Sequence, residues 1–215
     1  RAAAKIPPRV DQVRDLRRVS VRAILRQRQQ QPFGDLRDLL RRVPLQGREV
    51  AHLIQCGALD GLGEGRAALL AEAADIERAG SALQMSFGFG QPPVPAEPAA
   101  QRLAWEQRLL GQPVSVHPLQ LVADRLPGDC LPLRQVAAAA HGPLTLAGVR
   151  LPGWTGGQGF FLGDGDDFLI VRQDPAAETP PAWQPLLVRG QCRSDEWGSL
   201  WVQAGAISGL AAPAP

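Results

Sequence analysis

The sequence predicts an α+β chain with a helical front half, a helical connector and a small five-stranded barrel at the end. Three observations favour this reading: apolar residues at helical spacing before residue 80, clustered Pro and Gly between 81 and 100, and short apolar runs after residue 143. A chain of 215 residues, 45% of them hydrophobic, can bury one sizeable core or two small ones. The predicted ranges are 1–80 for the helical domain, 81–100 for a linker, 101–142 for the connector, 143–210 for the barrel and 211–215 for a tail.

The helices follow from apolar residues that recur every three or four positions, as at Leu36, Leu39 and Leu40. Pro and Gly interrupt this spacing near residues 32–34 and 44–47, because Pro lacks a backbone donor and Gly frees the chain. We expect helices near 12–30, 35–43, 46–56 and 64–79. The connector should contain one helix over 101–110 and a short second one over 133–140.

The barrel is predicted from five short apolar runs at residues 144–149, 160–162, 168–171, 186–189 and 200–204. Gly and Asp turns separate them, as expected for strands in a small Greek-key barrel. A stretch rich in Pro and Ala, residues 174–185, lies between the third and fourth strands.

Positive charge is concentrated in the helical front. Residues 1–80 contain 15 Arg or Lys against 10 Asp or Glu, whereas residues 81–215 contain 8 against 11. A basic helical surface favours phosphate, since Arg and Lys displace condensed counterions from nucleic acid. The alternative is an ordinary solvated helix face.

Several kinds of site are not indicated. Cys56, Cys130 and Cys192 are odd in number and far apart, so neither a disulfide framework nor a zinc site is expected. No histidine has a neighbouring carboxylate in the sequence, and the Asp164–Asp167 turn lacks a calcium loop's final Glu, Pro175 standing there instead. We therefore expect no catalytic residue, metal or cofactor. The lack of a long apolar run or signal-peptide pattern predicts a cytoplasmic protein without membrane contact.

Three segments in fixed order resemble one family: Gly57-Ala58-Leu59-Asp60 at a helix turn, residues 106–119 with their Leu-Gly-x-Pro-x-Ser-x-His-Pro-Leu pattern, and residues 144–171. They are similar to the C-terminal region of bacterial DNA polymerase III alpha subunits. The resemblance implies tandem helix-hairpin-helix units, a helical connector and an OB-fold, in a parent that is a DNA-directed DNA polymerase. The short chain and missing hairpin glycines favour the error-prone paralogue over the main replicase.

The resemblance implies DNA contacts in the helical domain. In the second hairpin, backbone amides at Gly57, Gly61 and Gly63, together with Arg66, would face phosphate. An ordinary helical hairpin with Gly57 as C-cap is the alternative. The first hairpin has no glycine in its turn, so side chains of Arg17, Arg18 and Arg22 would replace backbone contacts there.

In the barrel, single-stranded DNA would stack on strand aromatics beside cations. The candidates are Trp154, Phe160 or Phe161, Arg150 and Arg172. A small barrel also needs aromatics inside, and strand alternation should turn about one member of an adjacent pair inward.

The linker contains a glutamine followed by spaced apolar residues, namely Gln84, Met85, Phe87 and Phe89. It is similar to the peptide by which the family docks on the sliding clamp. Packing of both Phe side chains against the chain's own domains is the alternative.

The sequence thus predicts the DNA-binding and clamp-tethering region of a C-family polymerase acting in replication or translesion repair. Its partners would be single-stranded or primer-template DNA, the sliding clamp and a polymerase body if the chain is part of a longer one. A free-standing helix-hairpin-helix and OB adaptor that binds single strands is the runner-up. A purely structural interaction domain is the third possibility.

Overall fold

A computed structural model of the protein describes residues 12–79, 94–139, 142–157 and 159–210. Its contacts divide the chain into two compact units, Arg1–Ser115 and Val116–Pro215. The predicted connector is divided between the two units: its helix and the residues as far as Ser115 belong to the first unit, and residues from Val116 onward belong to the second. The other domain bounds stay predictions.

Within its described residues the first unit contains five α-helices: α1 (Arg18–Gln30), α2 (Leu36–Arg42), α3 (Gly47–Gln55), α4 (Arg66–Ala79) and α5 (Ala99–Leu110). Their apolar faces meet in one core, in which Ile24, Phe33, Leu39, Leu53 and Leu69 are almost fully buried. The helical spacing in the sequence therefore predicted these elements, and burial of that stripe is what stabilises such short helices.

One boundary differs from the prediction. Helix α1 begins at Arg18 and not near residue 12. Asp15 has a φ of 61°, and Arg17 has an extended backbone with ψ of 140°. These two conformations are incompatible with a continuous helix, so the apolar Val13 and Leu16 reach the core from a turn.

Glu49 joins the beginnings of α1 and α3. Its Oε2 accepts a hydrogen bond from the backbone N–H of Gln46 at 2.9 Å, which completes a capping box at the start of α3. Its Oε1 accepts from the backbone N–H of Arg17 at 3.1 Å, and the Arg17 guanidinium lies 2.8 Å from Oε2. The Glu49 side chain is 2% exposed, so two helix starts share one buried carboxylate.

The second unit contains β1 (Cys130–Leu131), β2 (Pro143–Leu151), β3 (Phe160–Gly163), β4 (Phe168–Arg172), β5 (Pro185–Ser194) and β6 (Leu200–Gly209). Strands β2 to β6 close in the order β2-β3-β4-β6-β5, with β5 pairing back onto β2. Only β4 and β6 are parallel within this ring, and β1 adds a short parallel segment outside it. This is the connectivity of an OB-fold, and it confirms the predicted α+β class and five-stranded barrel.

Strand alternation fills the barrel. Leu146, Phe160, Leu162, Val171 and Val202 point inward and are at most 1% exposed. Inward-facing residues lie two positions apart along a strand, as Phe160 and Leu162 do, so the side chains between them point to the outer face. The predicted strand runs are confirmed, although β5 and β6 each extend to 10 residues.

The remaining segments of the second unit are short. Two 3-10 helices, Pro118–Arg125 and Leu133–Gln135, precede the barrel, and the second replaces the longer helix expected over 133–140. The described connection between β4 and β5, residues 173–184, contains turns and extended chain without a helix.

Two general features of the described ranges bear on function. None of the helices there has both the length and the apolar character needed to cross a membrane. No group of three or more His, Cys, Asp or Glu side chains among the same residues is arranged to hold a metal ion.

The buried carboxylate of Glu49, which both helix starts share, should make the stability of the fold depend on pH. Burial raises the pKa of Glu49, but the hydrogen bonds from Arg17 and Gln46 outweigh it and bring the pKa from 4.5 to about 2. A lowered carboxyl pKa stabilises the fold above the unfolded value, and this contribution is lost as the pH falls from about 5 to about 2. We expect Glu49→Gln to lower the free energy of unfolding by about 3 kcal/mol at pH 7, and by much less at pH 2.

Urea unfolding of both proteins between pH 2 and pH 7 measures this difference. Glu72→Gln, which removes the half-exposed partner of Arg37, is the control and should cost about 0.5 kcal/mol or less at every pH. If the difference in unfolding free energy between the wild type and Glu49→Gln stays constant from pH 2 to pH 7, the lowered pKa of Glu49 is contradicted.

Candidate nucleic-acid interface

The turn between α3 and α4 ends its first helix with a Schellman motif. The N–H of Ala58 donates to Leu53 O, and the N–H of Gly57 donates to Ile54 O, both at 2.9 Å. Gly57 has a φ of +81°, and a Cβ there would lie 2.3 Å from Nη2 of Arg66. Glycine is therefore required both for the helix end and for the approach of Arg66.

Arg66 is turned inward. Its Nε and Nη2 each lie 2.9 Å from one oxygen of Asp60, while Nη1 donates to Glu106 Oε1 at 2.9 Å and to the carbonyl of Gln55 at 3.1 Å. Burial opposes the charge, but these partners outweigh it and raise the pKa of Arg66. The side chain is 3% exposed, so the structure corrects the prediction that it contacts phosphate.

The start of α4 is also occupied from within the first unit. The carboxylate of Glu97 accepts a hydrogen bond from the backbone N–H of Ala67 at 3.1 Å, in the position where a helix start would receive an anion. The two remaining turn glycines, Gly61 and Gly63, are exposed. A phosphate at this hairpin would have to displace Glu97 or contact the exposed turn alone.

The first hairpin presents more free charge. Arg17 is half-exposed but is paired with Glu49. Arg18 and Arg22 are exposed, and neither has an ion-pair or hydrogen-bond partner among the described residues. Arg26 continues the same spacing of four residues and is likewise exposed and unpaired within the described ranges. We call Arg18, Arg22 and Arg26 the α1 stripe.

The α1 stripe places three guanidinium groups one helical turn apart, because residues four apart share a helix face. Arg26 was not among the residues predicted from the sequence. The signal was available in the sequence, since extending the spacing of Arg18 and Arg22 by four residues leads directly to it.

On the barrel, the register of the strands joins Leu151, Phe161, Ile170, Trp201 and Arg193 in one row across five strands. The parallel row beside it contains the buried side chains that fill the barrel, so this row faces outward. We call it the outer row. Its apolar members are half-buried, and Arg193 is exposed.

Two further aromatic contacts extend the outer row. Phe168 is 67% exposed and packs edge-on against Phe161 with ring centroids 5.9 Å apart. The guanidinium of Arg172 lies 4.2 Å from the centre of the Trp201 ring. This cation–π contact places the guanidinium over one face of the Trp201 ring.

The outer row begins and ends beside loops that each present an exposed tryptophan. Trp154 lies in the β2–β3 loop, Trp197 lies in the β5–β6 loop, and each is 84% exposed. Asp195 stabilises the second loop by accepting hydrogen bonds from the N–H groups of Trp197 and Ser199, and the latter bond does most to lower the pKa of Asp195. Aromatic side chains at such open positions are accessible for stacking on a ligand.

The barrel residues predicted from the sequence to contact DNA therefore fall into two groups, buried and exposed. Phe160 is 1% exposed inside the barrel and cannot stack on a base, which corrects that choice in favour of its neighbour Phe161. Trp154 and Arg172 lie at the outer surface as predicted, and Arg150 is half-buried at the end of β2. Phe168, Trp197 and Trp201 were not among the predicted residues, although the strand alternation that turns Phe160 inward also turns Phe168 and Trp201 outward.

Asp164 and His117 both lie in well-defined local surroundings in the second unit. Asp164 accepts hydrogen bonds from the backbone N–H groups of Leu133, Asp166 and Asp167, which makes it the centre of a turn. Burial lowers the pKa of His117, whose ring lies near Gly165. The candidate clamp residues Gln84, Met85, Phe87 and Phe89 lie outside the described residues.

Comparisons with known proteins agree with this architecture. Residues 6–69 match the family described as helix-hairpin-helix motif. The chain is 30% identical over 145 residues to an error-prone DNA polymerase of Pseudomonas aeruginosa, covering 64% of this chain and 14% of the relative. It is 29% identical over 205 residues to an error-prone DNA polymerase of Cutibacterium acnes, covering 87% of this chain and 18% of the relative.

Among solved structures, the hypothetical protein ygiW from E. coli matches with a TM-score of 0.33 and 16% identity, over 39% of this chain and 91% of that one. The chain spans less than a fifth of the length of the two polymerases. The helix-hairpin-helix match and the two polymerase relatives support the resemblance of this chain to the C-terminal helix-hairpin-helix region of the DNA polymerase III alpha-type family.

Proposed function

We propose that this chain is a DNA-handling region that holds template strands for a polymerase body and performs no nucleotidyl transfer itself. The observation that carries the proposal is the outer row of the barrel, which runs from the loop of Trp154 to the loop of Trp197. In OB-folds, oligonucleotides bind across this part of the barrel, between these two loops. The names of the two relatives support DNA as the ligand.

The outer row suits a single strand better than a duplex. Unpaired bases offer flat apolar faces, and Phe161, Phe168 and Trp201 supply matching surfaces at neighbouring strand positions. Arg172 and Arg193 lie among these rings and would neutralise the phosphates that connect stacked bases. Two exposed tryptophans could close over the strand from either side.

The α1 stripe suits the backbone of duplex DNA. Its three arginines have no internal carboxylate partner among the described residues, so binding to phosphate breaks no ion pair. Contacts of this kind give affinity without reading sequence. A template-holding region needs such contacts, because every sequence must pass it.

Translesion synthesis is the finer role that we propose. Stacking and phosphate contacts do not depend on the hydrogen-bonding edge of a base, so they tolerate a damaged template. The relatives' description as error-prone polymerases supports this role. Clamp tethering through residues 84–89 is proposed from the alternation of Gln84, Met85, Phe87 and Phe89 alone.

The outer-row proposal predicts that Trp154→Ala with Trp197→Ala weakens binding of labelled single-stranded oligothymidine, about 16 nucleotides long, at least about tenfold. Fluorescence anisotropy at low and moderate salt measures this. Both side chains are 84% exposed, so their loss should leave the unfolding free energy unchanged. The matched control replaces both residues by Phe, which keeps a stacking surface and should retain most affinity. Unchanged affinity in the Ala variant would refute the proposal.

The α1 stripe predicts a separate, salt-dependent effect on duplex DNA. Changing Arg18, Arg22 and Arg26 to Gln should reduce the slope of log affinity against log salt by roughly two to three, since each phosphate contact contributes about 0.9. The control changes Arg37, Arg41 and Arg78 to Gln, which removes the same charge from arginines already paired with carboxylates. Equal slopes in the two triple variants would count against the stripe.

The tethering proposal predicts that Gln84→Ala with Phe87→Ala abolishes binding of a purified bacterial sliding clamp, measured by surface plasmon resonance. The control changes two small residues of the same peptide, because Ser86→Ala with Gly88→Ala leaves Gln84 and Phe87 in place. DNA affinity should be the same in both variants. Full clamp binding by the first variant would show that the peptide is not the tether.

A further inference from the structure

An unassigned cleft lies along the second half of β6. It has a volume of about 540 Å³ and is bounded on one side by the connection between β4 and β5, residues 173–184. Ala204, Ala206, Ile207 and Gly209 form the β6 wall, while Asp174 and Glu178 lie on the opposite wall. A connection without a helix thus leaves this side of the barrel open.

The β6 wall is an unpaired strand edge. Strand β4 pairs with β6 only from Trp201 to Gln203 and ends at Arg172. From residue 204 to residue 209, β6 has β5 on one side and, among the described residues, no strand on the other. Small residues at positions 204–206 leave the backbone of this edge uncovered. Natural proteins usually shield such edges with charge, proline or a covering segment.

The hydrogen-bond pattern identifies which groups face the cleft. The N–H of Leu210 donates to Pro185 O at 2.8 Å, so this pair is of the hydrogen-bonded type. In an antiparallel ladder the two types alternate, which makes the pairs of Ser208 and Ala206 hydrogen-bonded to β5 as well. The backbone N–H and C=O of Ile207 and Gly209 consequently point away from β5, toward the cleft.

We propose that this cleft binds an extended, basic peptide segment of a partner protein, which adds to β6 as a further strand. A strand can pair with the groups of Ile207 and Gly209, as in other cases of strand addition. A helix has no free backbone groups for them and would leave them dehydrated without partners, which is unfavourable.

The charge of the cleft defines the partner's chemistry. Its lining contains two carboxylates, those of Asp174 and Glu178, and no Lys or Arg among the described residues. Phosphate is repelled there, whereas Lys or Arg side chains that alternate along a strand would meet opposite charge. The site lies at the other end of β6 from Trp201, so it does not overlap the outer row and does not rest on the proposed DNA function.

The test uses a fluorescein-labelled seven-residue peptide in which Lys alternates with Val and Thr. We expect it to bind the full chain, with its anisotropy rising in a saturable titration. Amide hydrogen exchange followed by NMR should slow about tenfold at Ile207 and Gly209, while Ala206 and Ser208, already paired with β5, change little. A peptide with Glu in place of Lys, and one with a central Pro, should each bind at least about tenfold more weakly.

A matched pair of variants checks the location. Ala206→Trp places a bulky side chain in the cleft and should weaken peptide binding about tenfold, whereas Ser208→Trp, on the same strand but outside the lining, should not. Equal binding of the Glu peptide, equal effects of the two variants, or protection of other amides would each overturn the proposal. Concentration-dependent dimerisation that Ala206→Trp abolishes would also overturn it, in favour of a second copy as the occupant.

Discussion

The helical unit depends on one buried cation. The guanidinium of Arg66 joins the hairpin turn through Asp60, the end of α3 through the carbonyl of Gln55, and α5 through Glu106. Glu106 is completely buried and also accepts from the N–H groups of Val114 and Ser115. A buried charge is tolerated only when its partners are this complete, and removal of either charge would leave the other uncompensated.

Because Arg66 is held by internal carboxylates, its charge is not available to bind a ligand. A hairpin whose arginine is held by two carboxylates, and whose helix start receives Glu97, has little positive charge left for phosphate. The free cations lie elsewhere in the helical unit, along α1, where the described residues offer them no carboxylate. In the barrel unit, Arg172 lies over the Trp201 ring and also contributes to lowering the pKa of the Asp195 carboxyl. The role of each arginine therefore depends on how closely an acid approaches it.

The sequence predicted what local periodicity determines. Helical spacing located α1 to α4, and short apolar runs located the five barrel strands, because burial of one face fixes each pattern. Local periodicity does not indicate that Arg66 turns inward, since Glu106 is 40 residues away in the sequence and only the folded core brings the two side chains together. Phe160 and Phe161 were not separable until the register fixed which of them faces the interior. Trp197 was missed because a turn has no periodicity to indicate which way its side chains point.

Strand β6 explains how one small barrel can present two surfaces of different chemistry. Its first residues pair with both β4 and β5 and present Trp201 outward, so that end offers a closed aromatic face. A bulge at Gly205 of β6, opposite Arg189 and Gly190, shifts the register, and the β6 residues that follow have one free edge and acidic surroundings. Because both surfaces are built on β6, any coupling between ligands at its two ends must be reciprocal.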